Sequence, residues 1–240
     1  MSGDVLAVAH RGDPIGHPEN TLVGIEAAFR AGAPMVEIDV RLTSDGAPML
    51  LHDADLTRLW NRPETFASLT RHEVRTLVDP AGQRLPDLAE AAELAVRYDG
   101  QLMVDLPEAQ AGPVAHDVLA KAGELDRMLF AGHCVPLRSH APGARIALSW
   151  AERAEPTEDL LGWLRPEYFN PYFLLLTPEM LERMHARGML VSVWTVDDED
   201  AMRAVLDLGA DAVISNQIAL LLSVIAGATS DAAPAVGLIR

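Results

Sequence analysis

The sequence predicts a single α/β domain closed into a (β/α)8 TIM barrel, and three observations carry that prediction. Roughly eight short apolar runs alternate with segments whose apolar residues recur at helical spacing, the pattern of parallel βαβ units. The 240 residues, 49% of them hydrophobic, suffice for one large core, and no stretch is long or polar enough to link two. Neither GxGxxG nor GxxxxGK occurs, so the main alternative, an open doubly wound sheet, lacks a glycine-rich nucleotide loop to support it. The barrel is expected over residues 1–225, with the Ala-, Gly-, Ser- and Pro-containing residues 226–240 as a loosely held tail.

Residues 5–9 form the first strand-like run. Leu22, Ile25, Ala28 and Phe29 then recur at helical spacing until Gly32 supplies a stop. Residues 35–40 and 48–51 read as strands, parted by the turn signal Ser44-Asp45-Gly46. A helix over 85–96, a strand over 102–104 and a helix over 114–122 come next. Later strands are expected at 129–131, 145–148, 167–169, 190–194 and 212–214, with helices at 178–186 and 198–208. The first of these helices has Thr177 as cap, Pro178 in its first turn and Gly188 as its stop; the second ends at Gly209.

Composition narrows the partners. A formal charge of −16, from 35 acidic and 19 basic residues, repels nucleic acid and anionic membrane surfaces. The single cysteine, Cys134, allows neither an internal disulfide nor a CxxC metal knuckle. No run approaches the roughly 18 apolar residues of a membrane helix, so no stable membrane insertion is expected, and Met1 to Asp4 do not begin a signal peptide. The expected location is cytoplasmic, and the expected partner is a small molecule.

In a barrel of this kind chemistry gathers at the C-terminal ends of the strands. His10 and Arg11 end the first strand, Glu37 and Asp39 leave one face of the second, His52 and Asp53 end the third run, and Asp105 ends the next. Any one of these could be a solvated strand end or a structural histidine. Four in succession point to function. Converging carboxylates without cysteine suit a hard divalent cation, Mg²⁺ or Ca²⁺, which also relieves the repulsion between Glu37 and Asp39. Arg11 beside such a cation suits phosphate, and His10 and His52 can serve as general base and general acid across a P–O bond. Together these groups describe phosphodiester cleavage.

The stretches AHRG, PENT (residues 18–21), VEIDVRLTSDG and LLHD, in this order, resemble the glycerophosphodiester phosphodiesterase family. LPDLAEAAELA (85–95) and GMLVSVWTVDDEDAMRAVLDLGADAVIS (188–215) extend the likeness over nearly the whole chain. The resemblance implies a TIM barrel of the phosphodiesterase type and a divalent cation, with hydrolysis of glycerophosphodiesters to glycerol 3-phosphate and an alcohol. It also implies that His10 and His52 are the acid–base pair, that Arg11 contacts phosphate, and that Glu37 and Asp39 ligate the metal. Glu19 would support them, and Trp194 would line the pocket under the glycerol.

Three departures accompany the likeness. The family's usual Glu-x-Lys reads Asp105-Leu106-Pro107 here, so Asp105 is expected as the third metal ligand while the lysine is lost. Losing one such charged contact typically costs about 10²- to 10³-fold in rate. The usual Ser-Phe reads Gly132-His133, where His133 can partly compensate, and the common Ile-Thr-Asp pattern falls in the stretch Ile214-Ser215-Asn216-Gln217.

Two other functions stay open at this point. One is a phospholipase D-like enzyme acting on lysophospholipid or sphingolipid head groups, for which Leu59-Trp60 and residues 173–176 are candidate apolar lips. The other is a barrel that binds phosphodiesters without turnover. GxSxG and HExxH are absent, and Cys134 reads as a buried thiol. Of His17, His72, His116, His140 and His185, only His17 is placed to touch substrate, while the stripe Met180, Leu181 and Met184 reads as core.

Overall fold

The computed structural model describes residues 5–231. In chain order the elements are β1 (Leu6–Ala9), α1 (Leu22–Arg30), β2 (Met35–Leu42), β3 (Pro48–Leu50), α2 (Thr57–Trp60), α3 (Arg71–Arg75), α4 (Leu88–Arg97), β4 (Gln101–Leu106), α5 (Ala111–Ala122) and β5 (Met128–Gly132). There follow α6 (Val135–His140), β6 (Ala147–Trp150), α7 (Glu158–Leu164), β7 (Tyr168–Pro171), α8 (Pro178–Ala186), β8 (Leu190–Val193), α9 (Glu199–Leu208), β9 (Ala212–Ser215) and α10 (Ile218–Asp231). Eight strands run in the order β5-β4-β2-β1-β9-β8-β7-β6, and a parallel bridge from Phe130 to Ile146 joins the two ends into a nearly closed barrel.

The alternation of strand side chains divides the core into two layers. Ala7, Ala9, Val36, Ile38, Val104 and Phe130 face outward into the helices. Val8, Met35, Met103, Leu129, Tyr168 and Ile214 fill the barrel. Along β2 the same alternation carries Met35, Glu37, Asp39 and Arg41 on one face, so an inward methionine is followed by three charged groups toward the mouth. Parallel pairing sets Glu37 opposite Met103 and Asp39 opposite Asp105. Two carboxylates thereby stand side by side on adjacent strands.

The run at 48–51 is a strand but not a barrel stave. It pairs antiparallel with β2, Val40 opposite Leu50 and Leu42 opposite Pro48. His52 therefore reaches the mouth on a hairpin arm. Beyond it, residues 51–85 form an excursion with its own small core, in which Trp60 packs with Met49, Leu56, Phe66 and Val74. Leu59 packs against that cluster, so this candidate lip is internal packing. The other splits: Leu176 is buried and Phe173 lies against the main core, while Leu174 is 69% exposed.

A cap resets the start of one helix. The helix expected from residue 85 begins at Leu88 because Asp87 is its cap and shares a capping box with Glu90. Helix α10 runs through Asp231, so residues 226–231 of the expected tail are helical, and 232–240 lie outside the described residues. Met180, Leu181 and Met184 are core, as their spacing predicts. No helix among the described residues is long and apolar enough to cross a membrane.

Candidate active site

The strand ends at the mouth enclose a cavity of about 250 Å³. His10, Arg11, Glu37, Asp39, His52 and Asp105 line it, together with Trp194, His133 and Pro107. His17 does not join them: its loop turns it back toward α1, where its Cβ lies close to Gly24. Glu19 stands behind the cavity rather than in it, through its bonds to Arg11.

The loop after β1 is built for close approach. Gly12 has φ +93°, and a Cβ there would lie 2.7 Å from the Gly24 carbonyl carbon, so only glycine lets the loop close over the start of α1. Thr21 caps α1 through its Oγ1, which accepts from the Gly24 N–H. That leaves Asn20 free to grip Asp39: its Nδ2 donates to Asp39 Oδ2 at 2.8 Å, and the Asp39 N–H donates back to Asn20 Oδ1 at 3.0 Å. Within PENT, then, threonine caps the helix, asparagine holds a candidate metal ligand, and glutamate serves the arginines.

Both histidines are anchored through Nδ1. Asn216 Nδ2 donates to Asp197 Oδ2 at 2.7 Å, which turns its Oδ1 toward His10 Nδ1, 2.8 Å away. This network assigns the proton to Nδ1 and leaves Nε2 facing Glu37, 3.9 Å from Oε2. Burial first, and the charge of Arg11 second, hold the His10 pKa below its ordinary value. His52 Nδ1 meets Asp53 Oδ1 at 2.7 Å, and Asp53 in turn accepts from Arg58 Nε at 2.6 Å. The Arg58 hydrogen bond is the main reason the Asp53 carboxyl is depressed to about 2.

The carboxylates of the cavity behave oppositely. Burial, then the charges of Asp39 and Asp105, push Glu37 well above the ordinary range, with Arg11 offsetting part of the rise. Asp105 is raised to about 7 by burial and by Asp39. Arg11 is the local counter-charge: its N–H donates to Glu37 Oε2 at 3.0 Å, its Nη1 to Glu19 Oε1 at 3.0 Å, and its Nε lies 3.3 Å from Asp39 Oδ2. That buried Nε makes no hydrogen bond. Glu19 is also held by Arg58, whose Nη1 and Nη2 donate at 2.9 and 2.7 Å; these bonds outweigh the burial that would raise its pKa and lower it instead.

Four residues that brace the candidate site escaped the sequence reading. Asp197 and Asn216 orient His10, Arg58 ties Glu19 to Asp53, and Arg41 donates to the His52 carbonyl at 2.8 Å while pairing with Glu108. Arg41 had a sequence signal, two residues beyond Asp39 on the same strand face, and Asn216 stood in the stretch set against Ile-Thr-Asp. Cys134 is buried, its pKa raised by that burial, and its Sγ donates to the Ala131 carbonyl.

Residues 10–220 match the model of the glycerophosphoryl diester phosphodiesterase family. The chain belongs to that family. It is thus a phosphodiesterase of the hydrolase class, as its relatives are. A glycerophosphodiester phosphodiesterase of Caldanaerobacter subterraneus is 27% identical over 240 residues, covering 92% of this chain and 97% of its own length. Two solved structures share the fold. An Oleispira antarctica phosphodiesterase in complex with the product sn-glycerol-3-phosphate superimposes with a TM-score of 0.86 at 24% identity, over 92% of this chain and 96% of the other. A glycerophosphodiester phosphodiesterase of Parabacteroides distasonis gives 0.84 at 22% identity, over 95% and 100%.

Proposed function

We propose that this phosphodiesterase hydrolyses glycerophosphodiesters to glycerol 3-phosphate and an alcohol, with His10 and His52 exchanging protons and a divalent cation at Glu37, Asp39 and Asp105. The observation that carries the reading is the pair of histidines on one cavity, each tied through Nδ1 to a separate acceptor. A substrate phosphate between them would meet Arg11. His10, neutral and with Nε2 unprotonated, takes the proton of the attacking group; His52, backed by Asp53, protonates the departing alkoxide. The product complex of the Oleispira relative supports glycerol 3-phosphate as the common product.

The donor set fits a cation. Glu37, Asp39 and Asp105 are three oxygen ligands whose mutual repulsion and burial raise two of their pKa values, and a divalent ion removes that cost. Hard carboxylate oxygens favour Mg²⁺ or Ca²⁺. Bound there, the ion would act as a Lewis acid on a phosphoryl oxygen. Arg11 lines the cavity, and Arg41 and Arg58 line the adjoining one beside Pro107, which supplies no charge. Trp194, fixed by its Nε1 donating to the Asn170 carbonyl at 2.9 Å, offers a flat apolar wall to the glycerol carbons.

The test is release of glycerol 3-phosphate from glycerophosphocholine and glycerophosphoethanolamine with Mg²⁺, Ca²⁺ or chelator, for the native chain and for His10→Ala and Glu37→Gln. Metal-dependent release that both substitutions abolish supports the proposal. Turnover of lysophospholipid alone would move the assignment to a phospholipase D-like enzyme, and metal binding without turnover to a binding barrel.

A further inference from the structure

The most compact set of metal-ligating atoms among the described residues lies outside the mouth. His116 and Asp117 on α5 and His140 at the end of α6 each place one ligand atom within 4.8 Å of the others. Asp117 Oδ1 is 2.7 Å from His140 Nε2 and 3.6 Å from His116 Nδ1. The two imidazoles stand nearly perpendicular, 83° between planes, with centroids 5.8 Å apart. The His116 ring is 6.2 Å from that of Phe130, an outward-facing residue of β5, so the barrel wall separates this group from the catalytic cavity.

One nitrogen there makes no hydrogen bond. His116 Nδ1 is buried and makes no hydrogen bond, an arrangement that costs free energy unless something occupies its lone pair. Asp117 and His140 are open to solvent, which gives an ion access. Two imidazole nitrogens and a carboxylate form a borderline donor set, poorly matched to Mg²⁺ or Ca²⁺ and well matched to zinc.

We propose that His116, Asp117 and His140 form a second metal site, independent of the catalytic one, that takes one transition-metal ion of the zinc class and ties α5 to α6. Binding uses His116 Nδ1, His140 Nε2 and an Asp117 oxygen, with water completing a tetrahedron. The bond between His140 and Asp117 opens, and each ring keeps its proton on the nitrogen facing away from the ion. The ion clasps two neighbouring outer helices whose own contact is short, because α6 has only six residues.

The experiment is equilibrium dialysis of the full chain against Zn²⁺ in excess Mg²⁺, which occupies the oxygen-rich mouth, beside thermal melts with and without Zn²⁺. His140→Ala, at the exposed end of α6, and Asp117→Asn remove ligands without disturbing the packing under Phe130; His116→Ala completes the set. The expected result is one zinc equivalent in the native chain that weakens at least ~10-fold in each variant, with the zinc-induced rise in Tm lost in parallel. Phosphodiesterase activity of His140→Ala in Mg²⁺ is expected to match the native chain. Equal zinc binding by the native chain and His140→Ala, or no zinc bound by the native chain, would overturn the proposal.

Discussion

Asn216 decides which nitrogen of His10 carries a proton, and its replacement exposes that control. In Asn216→Ala the Nδ1 acceptor disappears, while Asp197 keeps its bonds from the Ser215 hydroxyl and the backbone N–H of residue 216. The loop stays pinned and the ring is released. A neutral hydrogen bond of this kind is worth about 1 kcal/mol, or roughly fivefold in rate, and a ring free to take the wrong tautomer loses more. We expect kcat to fall between about 10- and 10³-fold with KM little changed. Asn216→Asp acts through charge instead. A charge-assisted bond favours the imidazolium by about 1 kcal/mol over a neutral one, or about 0.7 pH unit. Native His10 titrates below 6.5 because burial and Arg11 disfavour its charged form. A base must be unprotonated to act, so activity is lost as pH falls through that pKa, and the aspartate moves the acidic limb to higher pH. The assay is glycerol 3-phosphate release as a function of pH, reported as kcat/KM. An acidic limb in Asn216→Asp that stays in place or moves down refutes the reasoning, as does an unchanged kcat in Asn216→Ala.

Three further outcomes follow from the site. The Asp105 carboxyl is raised from 3.8 to about 7, so the metal-free fold binds its proton more tightly than the unfolded chain does, and stability present below 3.8 erodes as pH rises through about 7. Asp105→Asn is therefore expected to melt several degrees higher than the native chain at mildly alkaline pH in chelator, and to gain less from Mg²⁺; differential scanning fluorimetry in both conditions decides it. Gly12→Ala forces a side chain into a left-handed backbone and against the Gly24 backbone, which costs at least ~2 kcal/mol and lowers Tm by about 4–8 °C; an unchanged melt would show that the loop can shift. Arg58→Ala frees Glu19 and Asp53 together. Its exposed ion pairs contribute little stability, so kcat/KM is expected to drop about 10-fold with Tm nearly constant, whereas the reverse outcome would make Arg58 structural only.

The candidate site was legible where chemistry sits on strand ends. His10, Arg11, Glu37, Asp39 and Asp105 announce themselves because a polar group ending an apolar run has few places to go but the barrel mouth. What stayed hidden depends on long-range pairing. His10 and Asn216 are 206 residues apart in sequence and adjacent only because β1 pairs with β9. Arg58 meets Glu19 across 39 residues through a helix of four residues, too short to show any period. The antiparallel direction of β3 could have been read but was not: residues 43–47, with their Ser44-Asp45-Gly46 turn, are too few for a parallel crossover. His17 misled because nearness to PENT in sequence is not nearness to the cavity: the glycine turn at position 12 reverses the loop before it arrives.

In formal charge, the two departures that the family resemblance implies, at Pro107 and Asn216, offset each other. The pattern that the resemblance implies carries a lysine where Pro107 stands and an aspartate where Asn216 holds His10, so relative to that pattern one cation and one anion are absent and the net charge is the same. A cation restored alone has no added anion to answer it, and through a low-dielectric cavity it opposes the imidazolium that His10 becomes as it takes a proton. Pro107→Lys is therefore expected to strengthen phosphate binding and lower KM while returning less than the roughly 10²-fold in kcat that such a contact can supply. Adding Asn216→Asp supplies the missing anion. The double variant is expected to exceed the product of the single effects on kcat/KM, a coupling that a double-mutant cycle measures directly. Strict additivity would mean that the two positions changed independently, and that Arg11 and Arg41 already supply all the positive charge the phosphate meets.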